Sequence, residues 1–381
     1  MANALRVLLL TSKLSPAAGG LAVSVPGLAH SIDAFDDMEM HVMGTLDATA
    51  PGAADEWGPR VQAFTVKGPA AMHYAPGMVS AMRALAPGLV DVQGLWTYPS
   101  LANLQHANRT GTPYIVTPRG MLDPWARRNS RWKKRLAAAA FESAHLRSAR
   151  CLRATAEMEA QHFRDMGLRN PIAIVPNGIQ LPILAPRAPD RMRQALFLSR
   201  LHPKKGIDYL LTSWAKLEAR FPEWEVVIAG IDESGHAAEL RRLAAKLKLS
   251  RVRFVGPKHG TEKEALYRNA DLFVLPTHAE NFGLVVAEAL THETPVITTR
   301  NAPWGSLVKE GCGWWIELSQ TELSDTMQTA MSMSRDQLET MGQRGRRWVR
   351  REFGVDKVAS QMRDVYRWAA GNAKKPNWVY E

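Results

Sequence analysis

Residues 175–201 read VPNGIQLPILAPRAPDRMRQALFLSRL. Prolines at 176, 182, 186 and 189 block helix and sheet propagation over most of this stretch, and no apolar period runs through it. A strand-like run, ALFLS, then begins at Ala195. The stretch reads as a connection between two domains.

Working outward, short apolar runs alternate with helical patterns on both sides. RVLLL, MHVMG, VQAFTV, LVDVQGLW, YIVTP and IAIVP occupy the N-terminal part; EVVIAG, RVRFVG, LFVLPT and PVITT follow the connection. Between them, segments such as IDYLLTSWAKLEARF and AAELRRLAAKLKL repeat apolar residues every three or four positions. Strand–helix alternation of this kind makes parallel sheets covered by helices on both faces. The expected fold class is α/β: two doubly wound domains, with ligands bound at the carboxyl ends of their strands. The length of 381 residues also exceeds what one core usually supports.

The bulk numbers exclude several classes. With 46% hydrophobic and 22% charged residues the chain is globular rather than disordered. Two cysteines, Cys151 and Cys312, cannot build a disulfide framework and read as small buried apolar residues of a reducing cytosol. The opening MANALRVLLLTSK is too short an apolar run for a membrane span and lacks a cleavage site, so it reads as a first strand. The expected location is cytoplasmic, at most peripheral on the inner face of the cytoplasmic membrane.

A net charge of +11 raises nucleic acid or an anionic membrane as partners. Residues 119–153 hold ten basic residues against Asp123 and Glu142, which reads as one patch. Within it, PWARRNSRWKKRLAAAAF mixes Trp125 and Trp132 with Arg and Lys, a combination suited to an anionic membrane surface and equally to a solvated helix face. No nucleic-acid-binding motif accompanies the charge, so nucleic acid is not an expected partner. GGLAVS lacks the GxGxxG spacing of a dinucleotide site, which sets a nicotinamide-dependent oxidoreductase aside.

Two loops carry the chemistry. In FLSRLHPKKGIDYLL a strand ends at Ser199, and Arg200 and Lys205 precede a helix opening near Gly206. Cations beside a helix N-terminus make an anion site, and two charge-assisted contacts of about 1.5–3 kcal/mol each could hold a diphosphate. In PTHAENFGLVVAEAL, Glu280 sits in the loop after a strand and Glu288 about one turn into a helix beginning near Leu284. Carboxylates grip vicinal hydroxyls well, so the two acids suit a ribose and a sugar. Gly283 would let the backbone approach the ligand. The chain contains no Asp-x-Asp pair, no HExxH and no zinc spacing, so no metal or other cofactor is expected.

FLSRLHPKKG followed by ENFGLVVAEAL resembles the donor-site signature of retaining glycosyltransferase family 4, whose members have the GT-B fold of two facing Rossmann-like domains. SPAAGGLAVSVPGLAHSI, LVDVQGLW, VTPRGMLDPWA, RATAEMEAQHF and IAIVPNGI resemble N-domain landmarks of that family, and NAPWGSLVKEGCGWWIE a C-domain one. APW, GCGWW and PRGMLDPWA resemble branches that build bacterial exopolysaccharide and O-antigen.

The resemblance implies an acceptor-binding domain at 1–178 and a nucleotide-sugar domain at 179–358, with residues 359–381 returning to the first. It implies that Arg200 and Lys205 bind the diphosphate of a UDP-, GDP- or dTDP-sugar, that Glu280 meets the transferred sugar, and that Glu288 holds the ribose. Asn281, Phe282, Gly283 and Leu284 would contact sugar and phosphate, Gly19 and Gly20 would bring a helix terminus toward the diphosphate, and Arg119 and Trp96 would lie on the acceptor side. Trp304 and Phe282 would shape the sugar pocket. The acceptor would be a saccharide or a polyprenyl-diphosphate-linked saccharide; a nucleotide-sugar epimerase is the alternative on the same fold, and a nucleic-acid-binding protein, suggested by the charge, is the alternative of a different class. Two departures stand out: Arg119 and Gln93 occupy positions where many relatives place histidine.

Overall fold

The structure is a computed structural model. It describes the chain except residues 1–3, 16–18, 47–51, 53, 55–56, 59, 129–130, 189–190 and 233–234, and except the side chains of 127, 128, 131 and 133. The chain divides into two compact units, Met1–Gly178 with Val355–Glu381, and Ile179–Gly354.

The first unit is built on strands β1 (Leu5–Thr11), β2 (Met38–Leu46), β3 (Val61–Thr65), β4 (Leu89–Gln93), β5 (Tyr114–Thr117), β6 (Cys151–Ala154) and β7 (Ile172–Ile174). They lie in the order β7-β6-β5-β4-β1-β2-β3, all parallel, and a final strand, Val379–Tyr380, adds antiparallel to β7. β1 shows why its sequence is a continuous apolar run. Val7 and Leu9 enter one core while Leu8 and Leu10 enter the core on the other face. Successive side chains of a strand point to opposite faces, so a sheet covered on both sides needs apolar residues at every position. Helix Leu21–Asp33 and helix Val355–Ala369 cover the first face through Val25, Leu28, Val358, Met362 and Val365. Helix Met78–Leu85, with Met78 and Met82, covers the second.

The returning segment starts at Val355, earlier than the expected 359. The long helix Arg335–Phe353 ends there, and the apolar stripe of Val355–Ala369 is already buried on the first unit's sheet.

The second unit has β8 (Arg193–Leu198), β9 (Trp224–Ala229), β10 (Val252–Gly256), β11 (Leu272–Leu275), β12 (Val296–Thr299) and β13 (Gly313–Ile316) in the order β10-β9-β8-β11-β12-β13, all parallel. The chain winds outward from β8 in one direction and from β11 in the other. A topological switch point therefore lies between β8 and β11, where loops leaving the strand carboxyl ends part and open a crevice.

β6, β13 and the final strand were not among the expected strands. In β6, Arg153 is 1% exposed and interrupts the apolar run. Cys151 and Cys312 are free and buried, and burial pushes both thiols up to about 12, so neither is a thiolate near neutral pH.

Candidate active site

The loops after β8, β9 and β11 pack so closely at the second unit's switch point that glycine is required. A Cβ on Gly206, whose φ is +66°, would stand 1.9 Å from the carbonyl oxygen of Pro276. One on Gly230 would stand 1.7 Å from the oxygen of Ser199. His278 N–H donates to the carbonyl of Lys204 at 2.8 Å, joining the β8 loop to the β11 loop.

Across this join Lys205 and Glu280 form a mostly buried ion pair. The two residues read from separate motifs thus meet each other, and helix Ile207–Leu217 opens directly after Gly206. Arg200 is exposed on the same loop. His202 lies among the cations: burial first, then Arg200, His236, Lys205 and Lys204, hold its imidazole below the usual range. A neutral histidine surrounded by positive charge marks a place where an anion is favoured.

Helix Leu284–Thr291 begins after Gly283, which takes φ +78° at its N-cap. Glu288 on this helix is held from the neighbouring helix Gly260–Asn269. Lys263 Nζ donates to Oε1 at 2.7 Å and Tyr267 Oη donates to Oε2 at 2.8 Å. Burial, and then the charge of Glu288, raise the Tyr267 hydroxyl well above its ordinary value, so it stays a donor. Each oxygen of Glu288 keeps a lone pair for a further hydroxyl. Lys263 and Tyr267 were missed in the sequence; their one signal is the four-residue spacing that puts both on one helix face.

Phe282 and Trp304 do not line a pocket through their rings. They are 5% and 1% exposed and pack with Trp348 and Phe353 in the core, with ring centroids 5.3–5.7 Å apart. Trp304 Nε1 donates to the Phe282 carbonyl at 2.5 Å. Their role is to fix the backbone from which Asn281, Gly283 and Leu284 project.

In the first unit Gly19, with φ +61°, and Gly20 lead into helix Leu21–Asp33; residues 16–18 of that loop lie outside the described residues. Arg119 follows β5 with φ +56°. Its Nε and Nη2 donate to Gln93 Oε1 at 2.8 and 2.6 Å, and its Nη1 to Asn177 Oδ1 at 2.5 Å. Burial, and then the neighbouring Arg153, lower its guanidinium to about 9, which leaves it charged near neutrality. Trp96 also takes a positive φ, +70°, and its N–H donates to the fully buried Glu142 at 2.6 Å. Glu142 in turn pairs with His145 Nδ1 at 2.8 Å.

The basic segment is not one patch. Arg153 is buried, with Nε and Nη2 donating to the carbonyls of Val175 and Pro176, and Arg119 belongs to the polar cluster beside it. Arg135, Arg147 and Arg150 are exposed, while the side chains of Arg127, Arg128, Arg131 and Lys133 lie outside the described residues. Among the described residues no group of acids, histidines and cysteines is placed to hold a metal ion.

Residues 19–178 match the family described as "Glycosyl transferase 4-like domain", and residues 185–348 the family "Glycosyl transferases group 1". D-inositol 3-phosphate glycosyltransferase of Corynebacterium jeikeium (strain K411) is 37% identical over 148 residues, covering 34% of this chain and 35% of that one. Phosphatidyl-myo-inositol mannosyltransferase of Mycobacterium tuberculosis (strain ATCC 25618 / H37Rv) is 29% identical over 213 residues, 53% of this chain and 55% of that one. The matched stretch thus spans about a third to about half of these relatives' length. Both are named for inositol-based acceptors rather than for exopolysaccharide. The structure of Anabaena Alr3699/HepE in complex with UDP and glucose has a TM-score of 0.76 at 18% identity, covering 94% of this chain and 99% of that one.

The fold is GT-B. Within that class, the chain carries the two paired domains of the group 1, family 4-like glycosyltransferases.

Proposed function

We propose that the chain is a metal-independent, retaining glycosyltransferase. It moves a sugar from a UDP-, GDP- or dTDP-sugar to a saccharide or lipid-linked saccharide acceptor in cell-surface polysaccharide synthesis. The observation that carries the reading is the second unit's switch point: Lys205 pairs with Glu280 where two loops open into helices, Arg200 is exposed on the loop of Lys205, and Glu288 is held one turn into the second helix. The inositol-based names of the two relatives support an acceptor that is itself anionic.

In the proposed step the bond between the anomeric carbon and the diphosphate oxygen breaks as the acceptor oxygen bonds to that carbon on the same face. The acceptor's proton passes to the departing diphosphate, so no protein base is needed. Negative charge grows on the leaving group, and Arg200, Lys205 and the helix termini stabilise it more in the transition state than in the ground state. The diphosphate competes with Glu280 for Lys205, which frees the carboxylate for the sugar hydroxyls.

A thermal-shift screen of UDP-, GDP- and dTDP-sugars, with and without chelator, tests the reading. One nucleotide should stabilise the protein equally in both. A shift that needs magnesium, or none with any nucleotide, would reject it. Among the described residues no helix is long and apolar enough to cross a membrane; action at the inner membrane surface is part of the proposal.

A further inference from the structure

A cavity of about 440 Å³ lies wholly within the first unit. Its walls are Pro69, Met72, Tyr74, Tyr98, Leu101 and Phe141. One wall is the loop 67–74, closed by Lys67 N–H donating to the Tyr74 carbonyl at 2.8 Å and tied down by His73 Nδ1 against Thr45 Oγ1 at 2.9 Å. The Tyr74 ring meets Tyr98 edge-on with centroids 4.9 Å apart. Tyr98 begins the helix that follows β4 and Trp96, so the groove adjoins the acceptor-side loop. The opposite wall, Phe141, lies on the helical segment that runs from Arg131 to Ser148.

The lining chooses among occupants. It offers aromatic and aliphatic surface and almost no hydrogen-bonding group, so a saccharide hydroxyl entering it would lose its water without replacement. A hydrocarbon chain loses nothing. Lys67, exposed at the groove, is the charged side chain among the described lining residues and suits an anionic head group. Exposed apolar residues lie on two segments that contribute to the lining. Met72 and Tyr74 are 46% and 42% exposed, and Trp132 and Leu136, four apart on the helix that leads to Phe141, are 66% and 63% exposed. Arg135 stands between them. Apolar side chains interleaved with cations on an exposed helix face suit the boundary of an anionic membrane.

We propose that this groove holds the hydrocarbon chain of an anionic, lipid-linked acceptor, with Lys67 toward its phosphate and Trp132 and Leu136 at the membrane surface. The proposal rests on the reading of the first unit as the acceptor side, and it names the acceptor's class.

The test titrates a fluorescent long-chain fatty acid into the full chain, competes it with farnesyl monophosphate or with glucose 1-phosphate, and repeats this for Leu101→Trp, which fills the groove, and Tyr74→Ala, a surface change. Saturable binding displaced by farnesyl monophosphate and weakened about tenfold in Leu101→Trp is the expected result. Tyr74→Ala should weaken it less, and Lys67→Ala should weaken it most at low salt. Three results would overturn the proposal: no saturable binding, equal displacement by glucose 1-phosphate, or wild-type affinity in both groove variants. Light scattering showing a dimer that Leu101→Trp dissolves would also overturn it, in favour of a second copy. The nucleotide-sugar thermal shift, read on the same samples, separates the outcomes. A shift without fatty-acid binding sinks the groove alone, whereas loss of the shift in the wild type sinks the transferase reading.

Discussion

The polar groups at the carboxyl ends of the two sheets are arranged in opposite ways. In the second unit Lys205 pairs with Glu280 across two loops, and Glu288 pairs with Lys263 and Tyr267 between two helices; on the proposed reading an arriving anion or diol exchanges into these pairs. In the first unit they are locked into the core. Asp91 is fully buried and accepts from Thr117 Oγ1 at 2.9 Å and from Tyr366 Oη at 2.7 Å, and Arg153 supplies the compensating charge. Exchangeable pairs suit binding and turnover, while a closed network suits holding a shape. The comparison therefore predicts that equivalent truncations cost stability in one unit and catalysis in the other.

Asp91→Ala gives the largest expected effect. It strands Arg153 in the core and removes the acceptor of Tyr366, which ties helix Val355–Ala369 to β4. Breaking a buried charge network in this way costs about 3–5 kcal/mol. The urea midpoint of the full chain should fall accordingly; an unchanged midpoint would mean that the first unit's network is not structural.

Arg200→Ala is expected to do the reverse. Removing a group that stabilises a developing charge costs roughly a hundred- to a thousandfold in kcat. Because Arg200 is exposed, the midpoint should stay within about 0.5 kcal/mol of wild type. Lys205→Ala should lose turnover similarly, with some stability lost because Glu280 is left mostly buried and unpaired. Near-normal turnover in both variants would remove the diphosphate assignment.

Tyr267→Phe sharpens the same point at smaller scale. It takes one hydrogen bond from Glu288 and leaves the carboxylate in place, a loss of about 1 kcal/mol. If Glu288 binds the donor's ribose, the KM for the nucleotide-sugar should rise about fivefold with kcat nearly unchanged. A fall in kcat at constant KM would instead give Glu288 a part in the chemical step.

The same contrast explains what could be read from the sequence. Both units' strand–helix alternation is local and was legible, as were the two loops whose Lys205 and Glu280 the structure brings together. The first unit's network joins Asp91 to Tyr366, 275 positions away, and no local pattern signals such a partner. Arg153 was counted as surface charge because a buried arginine looks like an exposed one in a sequence, and the same charge concealed β6. Phe282 and Trp304 were read as pocket residues for a similar reason. Their burial depends on Trp348 and Phe353, from a helix distant in the chain. Gly313–Ile316 was noticed as a motif rather than as a strand, since two tryptophans between glycines and an acid do not alternate.

The smallest effect tests how firmly the returning helix is clamped. Arg363 Nε and Nη2 donate to Asp37 Oδ1 and Oδ2 at 2.7 and 2.8 Å, joining helix Val355–Ala369 to the turn before β2. The hydrogen bonds to Arg363 hold the Asp37 carboxyl below its ordinary value of 3.8. A carboxylate with a depressed folded-state pKa stabilises the fold above its unfolded pKa, and that stability is lost as pH falls through the folded value. The pair is partly exposed and screened, so its worth is about 0.2–1 kcal/mol. Arg363→Ala should lower the urea midpoint by that small amount at pH 7, and the gap from wild type should close as pH falls below the ordinary carboxylate value of 3.8 and through the depressed folded one. Urea titrations of both proteins over that range check it. A gap that persists unchanged in acid would mean that the arginine acts through packing over Phe35, where its guanidinium lies 4.9 Å from the ring centroid, rather than through charge.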